Sequence, residues 1–439
     1  MPNLHGFVLA APQSGSGKTV VTQALIRLLF QHGMNVIPVK VGPDYIDPQF
    51  LSLAAQHSCL NLDPWAMRQQ SRQMLLEQAE NSTSVPTALI IEGVMGLFDG
   101  AADGSGSTAD LASELDLPIV LVVNAAKQSF SLAALVQGFC RFRSDITIAG
   151  IILNNVGSKR HEAMLRQALE EHCPELFILG AIPRHEVFEL PERHLGLVQA
   201  IELQGHDAKQ NAMAQEIHKH LDMDNLLGMM QPLKIPSAQD GLLPLRVQKL
   251  AVAQDAAFSF MYSGQIQAWR QQGHEITTFS PLNNEAPDPT AEAIFLPGGY
   301  PELFADQIAN ADIFHAAMHK AAQSHVEIHG ECGGYMVLGH YLIDHEGNRH
   351  KMLGLLPVGF RLMERKRALG YRQATLLHDH IFGTKGTTYK GHEFHYGKAE
   401  TATDQPLFSS MDARGTSCPE TGMKLRSVTG SFVHLIDSN

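Results

Sequence analysis

The feature that most constrains this chain is how its first thirty residues are ordered. Phe7-Val8-Leu9-Ala10-Ala11 is an apolar run of strand length. It leads through Pro12-Gln13-Ser14-Gly15-Ser16-Gly17-Lys18-Thr19 into Val20, Val21, Ala24, Leu25, Leu28 and Leu29, which recur at helical spacing. Strand, glycine-rich turn and helix follow one another, and further apolar runs lie at Val36–Val41, Ala88–Ile91, Ile119–Val123 and Ile148–Leu153. Helix-like stretches separate several of them. This alternation predicts an α/β fold with a mostly parallel sheet covered by helices.

A second pattern of the same kind begins late in the chain. Between about 205 and 248 the periodicity weakens, and Gln231-Pro232-Leu233-Lys234-Ile235-Pro236-Ser237-Ala238-Gln239-Asp240-Gly241 is rich in breakers and polar residues. Leu250-Ala251-Val252-Ala253, Ala291–Leu296 and His325–His329 are then strand candidates. The expected division is a domain over 1–235, a linker over 236–248 and a domain over 249–439. The 439 residues allow roughly two or three domains.

Charge and cysteine content narrow the class. A net charge of −12 disfavours nonspecific binding to nucleic acid or anionic membrane, while leaving room for a local basic pocket. Cys59, Cys140, Cys173, Cys332 and Cys418 are few and scattered, which argues against a disulfide framework. No basic-then-apolar leader opens the chain, and no apolar run approaches the ~20 residues that span a bilayer. A cytoplasmic protein, binding neither nucleic acid nor membrane, is expected. Most of the 23 histidines read as surface or packing residues.

The first glycine-rich turn reads as a phosphate-binding loop. Ser14, Gly15, Ser16, Gly17, Lys18 and Thr19 would form it, with backbone N–H groups turned toward phosphate oxygens at the positive end of the following helix. Lys18 would neutralise phosphate charge, and the Thr19 hydroxyl would face Mg2+. The usual spacing places glycine where this chain has Pro12, so the loop is a variant. The competing reading is an ordinary strand–helix turn. Two acidic motifs also follow strands, Lys40-Val41-Gly42-Pro43-Asp44-Tyr45-Ile46-Asp47-Pro48 and Ile91-Glu92-Gly93-Val94-Met95-Gly96-Leu97-Phe98-Asp99-Gly100. Ligands of open parallel sheets gather at the carboxyl ends of strands, and carboxylates there can hold Mg2+. Taken singly, either motif reads as capping and turn formation by Asp beside Gly and Pro. The phosphate loop shifts both toward metal and substrate handling.

The chemistry at the other end is different. Cys332 follows a strand candidate and precedes Gly333-Gly334, a context that exposes a sulfur on a sharp turn near a helix N-terminus. Gly333 and the second glycine-rich turn, Gly298-Gly299-Tyr300-Pro301-Glu302, could supply backbone N–H groups to an oxyanion, with Gly299 and Gly333 as the candidates. The other four cysteines read as buried small hydrophobes. His434, in the strand-like alternation Gly430–Ile436, is the candidate base for Cys332, with packing as the plainer alternative. His392 and His395 stand i, i+3 but lack a third ligand of matching context.

Ordered together, these motifs resemble the cobyrinic/hydrogenobyrinic acid a,c-diamide synthase family over essentially the whole chain. Arg193-His194-Leu195-Gly196-Leu197 and Gly391-His392-Glu393-Phe394-His395-Tyr396 complete the set. Asp63-Pro64-Trp65-Ala66-Met67-Arg68 and the ending Gly430–Ile436 lean toward the hydrogenobyrinic acid branch. The resemblance implies a dethiobiotin-synthetase-like ATPase domain, followed by a class I glutamine amidotransferase domain. Cys332 would be the glutaminase nucleophile and His434 the residue that raises its nucleophilicity. The acid usual in amidotransferases two residues beyond that histidine is replaced by Ile436, so the third member is unassigned.

The implied reaction is amidation of the a and c acetate carboxylates of hydrogenobyrinic acid through acyl phosphates, with ATP, Mg2+ and L-glutamine. Asp44, Asp47 and Asp99 are the candidate catalytic acids, and Thr19, Asp47 and Glu92 the candidate metal set. How these carboxylates divide metal binding, substrate positioning and ammonia handling stays open, as does the oligomeric state, for which a homodimer is the candidate. Cobyrinic acid or nickel-sirohydrochlorin are alternative substrates within the class. A partition-type ATPase is the alternative outside it, but such a switch needs no Cys332 domain.

Overall fold

A computed structural model of the chain describes residues 3–189, 192–193, 196–197, 205–235, 242–363, 368–400 and 405–439. It falls into two compact units, Met1–Trp65 with Arg72–Gln239, and Ala66–Ser71 with Asp240–Asn439. Residues 236–241 of the expected linker, and His194 and Leu195 of one motif, lie outside the described residues.

The first unit is built on one sheet. Its strands are β1 (Leu4–Ala10), β2 (Asn35–Val41), β3 (Leu60–Leu62), β4 (Thr87–Glu92), β5 (Ile119–Asn124), β6 (Ile148–Val156) and β7 (Phe177–Pro183). They lie in the order β3-β2-β4-β1-β5-β6-β7. All six pairings along that order are parallel. Gln231–Pro232 adds a short antiparallel pairing to β1. Helices α1 (Lys18–Gln31) and α2 (Asp47–Ala55) follow β1 and β2 directly. Phe7, Leu9, Leu25, Leu28, Ile90, Val120, Val122 and Ile152 are buried in one core cluster, which is why these strands read as continuous apolar runs. β3 and β7 are strands that the reading of apolar runs did not single out.

The second unit has a parallel sheet and an antiparallel one. The parallel sheet orders Glu275–Phe279, Lys249–Ala253, Ala293–Leu296, Glu327–Glu331, Val428–Ser431 and Met423–Leu425, with only the last pairing antiparallel. The antiparallel sheet orders Ser417–Thr421, Phe408–Asp412, Ala368–Leu376, Thr388–His395 and Val433–Ser438. A smaller four-stranded sheet contains Gly359–Leu362 and Gly397–Ala399. Arg68 joins its segment to this unit: its backbone N–H reaches Asp437 Oδ2 at 2.8 Å and its guanidinium reaches Oδ1 at 2.9 Å.

Three expected strands differ in extent. The one placed at Ala291–Leu296 starts at Ala293, because Ala291 N–H closes a turn on Asp288 O at 3.0 Å. The one placed at His325–His329 starts at Glu327, because His325 sits at φ +59°. The alternation Gly430–Ile436 is two strands in two sheets, divided at Phe432. Ser431 O accepts Cys332 N–H at 2.8 Å, and Ser431 Oγ accepts Val433 N–H at 3.0 Å. The chain thus leaves the sheet that carries Cys332 and enters the sheet that carries His434.

Candidate active sites

In the first unit the positive φ angles of the loop fall at Gly15 (+77°) and Gly17 (+85°). A Cβ at Gly17 would collide with Asn154 Nδ2, which donates to Ser16 O at 2.9 Å. Ser16 Oγ donates to Gln13 O at 2.8 Å, so the loop is tied internally and to the end of β6. Lys18 Nζ donates to Gly93 O at 2.5 Å and to Glu92 Oε1 at 3.2 Å. Thr19 Oγ1 donates to Glu92 Oε1 at 2.6 Å and to Asp47 Oδ2 at 3.3 Å. The structure therefore gathers Lys18, Thr19, Asp47 and Glu92 at the carboxyl ends of β1, β2 and β4.

Lys40 opens the first acidic motif, and the motif reading gave it no role. It lies at the end of β2, and its ammonium contacts Asp47 Oδ2, Glu92 Oε1 at 2.8 Å and Asp44 Oδ2 at 3.5 Å. Burial pulls its pKa down, but Asp47, Glu92 and Asp44 together outweigh burial and hold it well above the ordinary lysine value. Lys18 goes the other way, lowered by burial and then by repulsion from Lys40. A signal existed: Lys40 is the lone charge in the strand Asn-Val-Ile-Pro-Val-Lys-Val. Asn154, at the end of β6, gave no comparable signal.

The remaining acids are placed differently. Asp44 Oδ1 accepts the N–H groups of Ile46 at 2.9 Å and Asp47 at 3.1 Å, so it shapes the entry to α2 as well as facing Lys40. Asp99 Oδ2 accepts Gly96 N–H at 2.9 Å and closes its own turn. A Cβ on Gly96 would stand 2.5 Å from Asp99 Oδ2 and 2.7 Å from Pro12 O, so this turn borders the phosphate loop. Among the described residues, Asp99 makes no ion pair with Lys18 or Lys40.

In the second unit Cys332 occupies φ +48°, ψ −105°, a strained conformation between Glu327–Glu331 and the helix Gly333–Leu338. The two glycines permit it. A Cβ at Gly334 would collide with Leu296 O, and one at Gly333 would stand 3.1 Å from Gly299 N. The two candidate oxyanion residues, Gly299 and Gly333, are therefore neighbours in space. Cys332 Sγ donates to Phe394 O at 3.8 Å.

His434 is brought to the same place. A Cβ on Gly298 would lie 2.5 Å from His434 Cε1 and 3.3 Å from Cys332 Cβ, so all three residues converge. Burial opposes charge on His434, but Cys332 and then Glu331 overcome it and push its pKa up to about 10. His434 Nδ1 lies 3.6 Å from Glu331 Oε2. His392 stacks on His434 with centroids 4.9 Å apart and planes 14° apart, and burial keeps it neutral. His395 stacks on Phe432 at 3.8 Å, and burial pushes it down to about 4. These two histidines pack the site.

Of the other cysteines, Cys59 and Cys173 are buried as expected. Cys140 and Cys418 are partly exposed, which corrects their reading as core residues: Cys140 lies on an exposed stretch of the helix Ser131–Phe142, and Cys418 on the edge strand of its sheet.

Comparison with known proteins finds a match for each unit. Residues 7–198 match the family model of the CobQ/CobB/MinD/ParA nucleotide binding domain. Residues 249–439 match that of the CobB/CobQ-like glutamine amidotransferase domain. A hydrogenobyrinate a,c-diamide synthase of Rhizobium meliloti is 48% identical over 435 residues, 99% of this chain and 99% of that one. The chain belongs to the hydrogenobyrinate a,c-diamide synthase family. Relatives of the same name from Brucella anthropi (48% identical, 99% of each chain) and Rhodobacter capsulatus (45%, 98% of each) repeat the match along the whole length. As a family member with these two domains, the chain is a nucleotide-using, glutamine-hydrolysing carbon–nitrogen ligase.

Proposed function

We propose that the chain amidates the a and c acetate carboxylates of hydrogenobyrinic acid in cobalamin biosynthesis, using ATP and ammonia drawn from glutamine. The observation that carries the glutamine half is the convergence of Cys332, His434 and Gly298 on a strained turn. The Cys332 thiolate attacks the side-chain amide carbon of glutamine, forming a C–S bond and an oxyanion that the N–H groups of Gly299 and Gly333 receive. His434 delivers its proton to the departing nitrogen as the C–N bond breaks. Water then hydrolyses the glutamyl thioester and restores the thiol.

The other half begins with a carboxylate, a poor acyl donor. One oxygen of the substrate acetate attacks the γ-phosphorus of ATP, ADP leaves, and an acyl phosphate remains. Ammonia attacks its carbonyl carbon and phosphate departs, leaving the amide. Ser14, Gly15, Ser16 and Gly17 cradle the phosphates, and Lys18 and Lys40 balance the charge that develops on them. Asp44, Asp47 and Asp99 position the substrate carboxylate and the incoming ammonia.

The oxygen donors fit Mg2+. Glu92 is fully buried and its Oε2 has no hydrogen-bond partner among the described residues, while Thr19 and Asp47 meet beside its other oxygen. Thr19, Asp47 and Glu92 would hold the ion, which supplies charge neutralisation to the nucleotide phosphates. The scattered cysteines support a cytoplasmic setting, and a homodimer is the assembly to test by light scattering.

Turnover on hydrogenobyrinic and cobyrinic acids, with ATP and either glutamine or ammonia, tests the reading. The metal-free substrate is expected to be diamidated; no activity on it would overturn the substrate assignment. Cys332→Ala is expected to lose glutamine-dependent activity and keep ammonia-dependent activity, and failure of ammonia to rescue it would overturn the division of labour.

A further inference from the structure

The histidine that serves Cys332 has Ile436 where an amidotransferase acid is usual, and Ile436 is 2% exposed in the core. Its ring is nevertheless confined from several sides. His392 covers one face, and His392 and His434 are partners in the antiparallel register. A Cβ at Gly298 would strike its Cε1 edge, and one at Gly391 would strike its backbone carbonyl. The acid near its Nδ1 comes from another strand. Glu331 immediately precedes the nucleophile, is 4% exposed, and puts Oε2 3.6 Å from His434 Nδ1.

We propose that Glu331 is the positioning residue of this glutaminase, holding His434 in the orientation and charge state that Cys332 needs. The inference rests on the assignment of Cys332 and His434 given above. Glu331 is itself fixed on its other side. Its Oε1 accepts Leu435 N–H at 3.2 Å and faces His329 Nε2 at 3.8 Å, while His329 Nδ1 meets Thr429 Oγ1 at 3.0 Å. Burial favours the neutral acid, yet the contacts with His329 and His434 hold its carboxyl below the usual glutamate range. A buried carboxylate beside an imidazole stabilises the imidazolium and fixes the ring, the service an acid renders in a nucleophile–base–acid triad. Here that acid travels with the nucleophile: the strand that ends in Glu331 delivers carboxylate and sulfur one residue apart. Cys332, Glu331, His392 and His395 are the titratable groups that act on His434 or respond to it.

The test measures glutamine hydrolysis and the pH profile of Cys332 alkylation in the full chain. Iodoacetamide labelling is read on the Cys332 peptide by mass spectrometry, because Cys140 and Cys418 are half-exposed whereas Cys332, expected from the sequence to be exposed, is buried at 4% exposure. Glu331→Gln is expected to lower kcat roughly 100-fold with KM for glutamine within about threefold. Its alkylation profile should move to higher pH, and ammonia-dependent amidation should stay at the wild-type rate. Unchanged turnover and an unmoved profile, alongside an inactive Cys332→Ala, would overturn this inference alone. Glutamine hydrolysis surviving in Cys332→Ala would overturn the underlying assignment instead. Should Glu331→Gln lose ammonia-dependent activity and fold poorly, Glu331→Asp decides. A slowed turnover with a displaced profile supports the role, and wild-type values for both overturn it.

Discussion

Lys40 Nζ lies 2.8 Å from Glu92 Oε1, and the two residues are exact register partners on the neighbouring parallel strands β2 and β4. They are 52 positions apart in the chain. Lys40→Met would leave the buried carboxylates of Asp47 and Glu92 without their shared cation. Removing one partner of a buried ion pair costs about 3–5 kcal/mol. Denaturant unfolding of the first unit should register that loss. Amidation should fall at least about 100-fold with either nitrogen source, since charge on the transferring phosphate is no longer balanced.

Lys18→Ala separates the two chemistries. Its ammonium, at the end of the phosphate loop, bridges Glu92 and the Gly93 carbonyl that follows β4. The variant is expected to lose amidation with glutamine and with ammonia, by at least about 100-fold. Cys332 should alkylate at the wild-type rate in the same preparation. Amidation near wild type in steady-state assays would remove Lys18 from the phosphate site.

Gly334→Ala tests the turn that presents the sulfur. Its new methyl would drive into the backbone carbonyl of Leu296, which cannot swing aside as a side chain could. A loss of about 3 kcal/mol is expected, at the upper end of overpacking costs, together with loss of glutamine hydrolysis. Gly347→Ala is the control. Unlike Gly334 it has positive φ (+88°), and nothing stands within 4 Å of an added Cβ. About 1 kcal/mol of backbone strain with full activity is expected there, read by thermal melts.

Glu302 predicts a pH-dependent stability. Burial pushes its carboxyl up to about 7, and its Oε2 has no hydrogen-bond partner among the described residues. Because the folded-state value is raised, the favourable contribution is complete below the ordinary glutamate value and is lost as pH rises through about 7. Glu302→Gln should therefore be more stable than the wild type at pH 8, by about 1–3 kcal/mol, and nearly equal to it at pH 4. Urea unfolding at both pH values checks the sign; equal stability at pH 8 would show that Glu302 is solvated.

Local chemistry made much of the site readable. Gly15 and Gly17 had to be glycine because their φ angles are positive, and Lys18 and Thr19 follow on the first turn of α1. Cys332 was distinguishable from the other cysteines because Gly333 and Gly334 mark a turn that only small residues allow. Lys40 was harder, since one lysine in an apolar strand says that a partner exists but not which. Glu331 carried no sign of its role: its neighbour in sequence is the nucleophile, while its partner His434 lies on a different sheet.

By itself the sequence determined the parallel α/β architecture of the first unit, the two reactive loops and the residues within them. Each of those depends on backbone conformation and periodicity over a few positions. Tertiary structure alone decided that Lys40 meets Glu92, that Asn154 ties the loop to β6, and that Glu331 faces His434. Those relationships are set by strand register and by the passage of the chain between two sheets at Phe432. A one-residue slip in register would turn each of these side chains to the opposite face of its sheet.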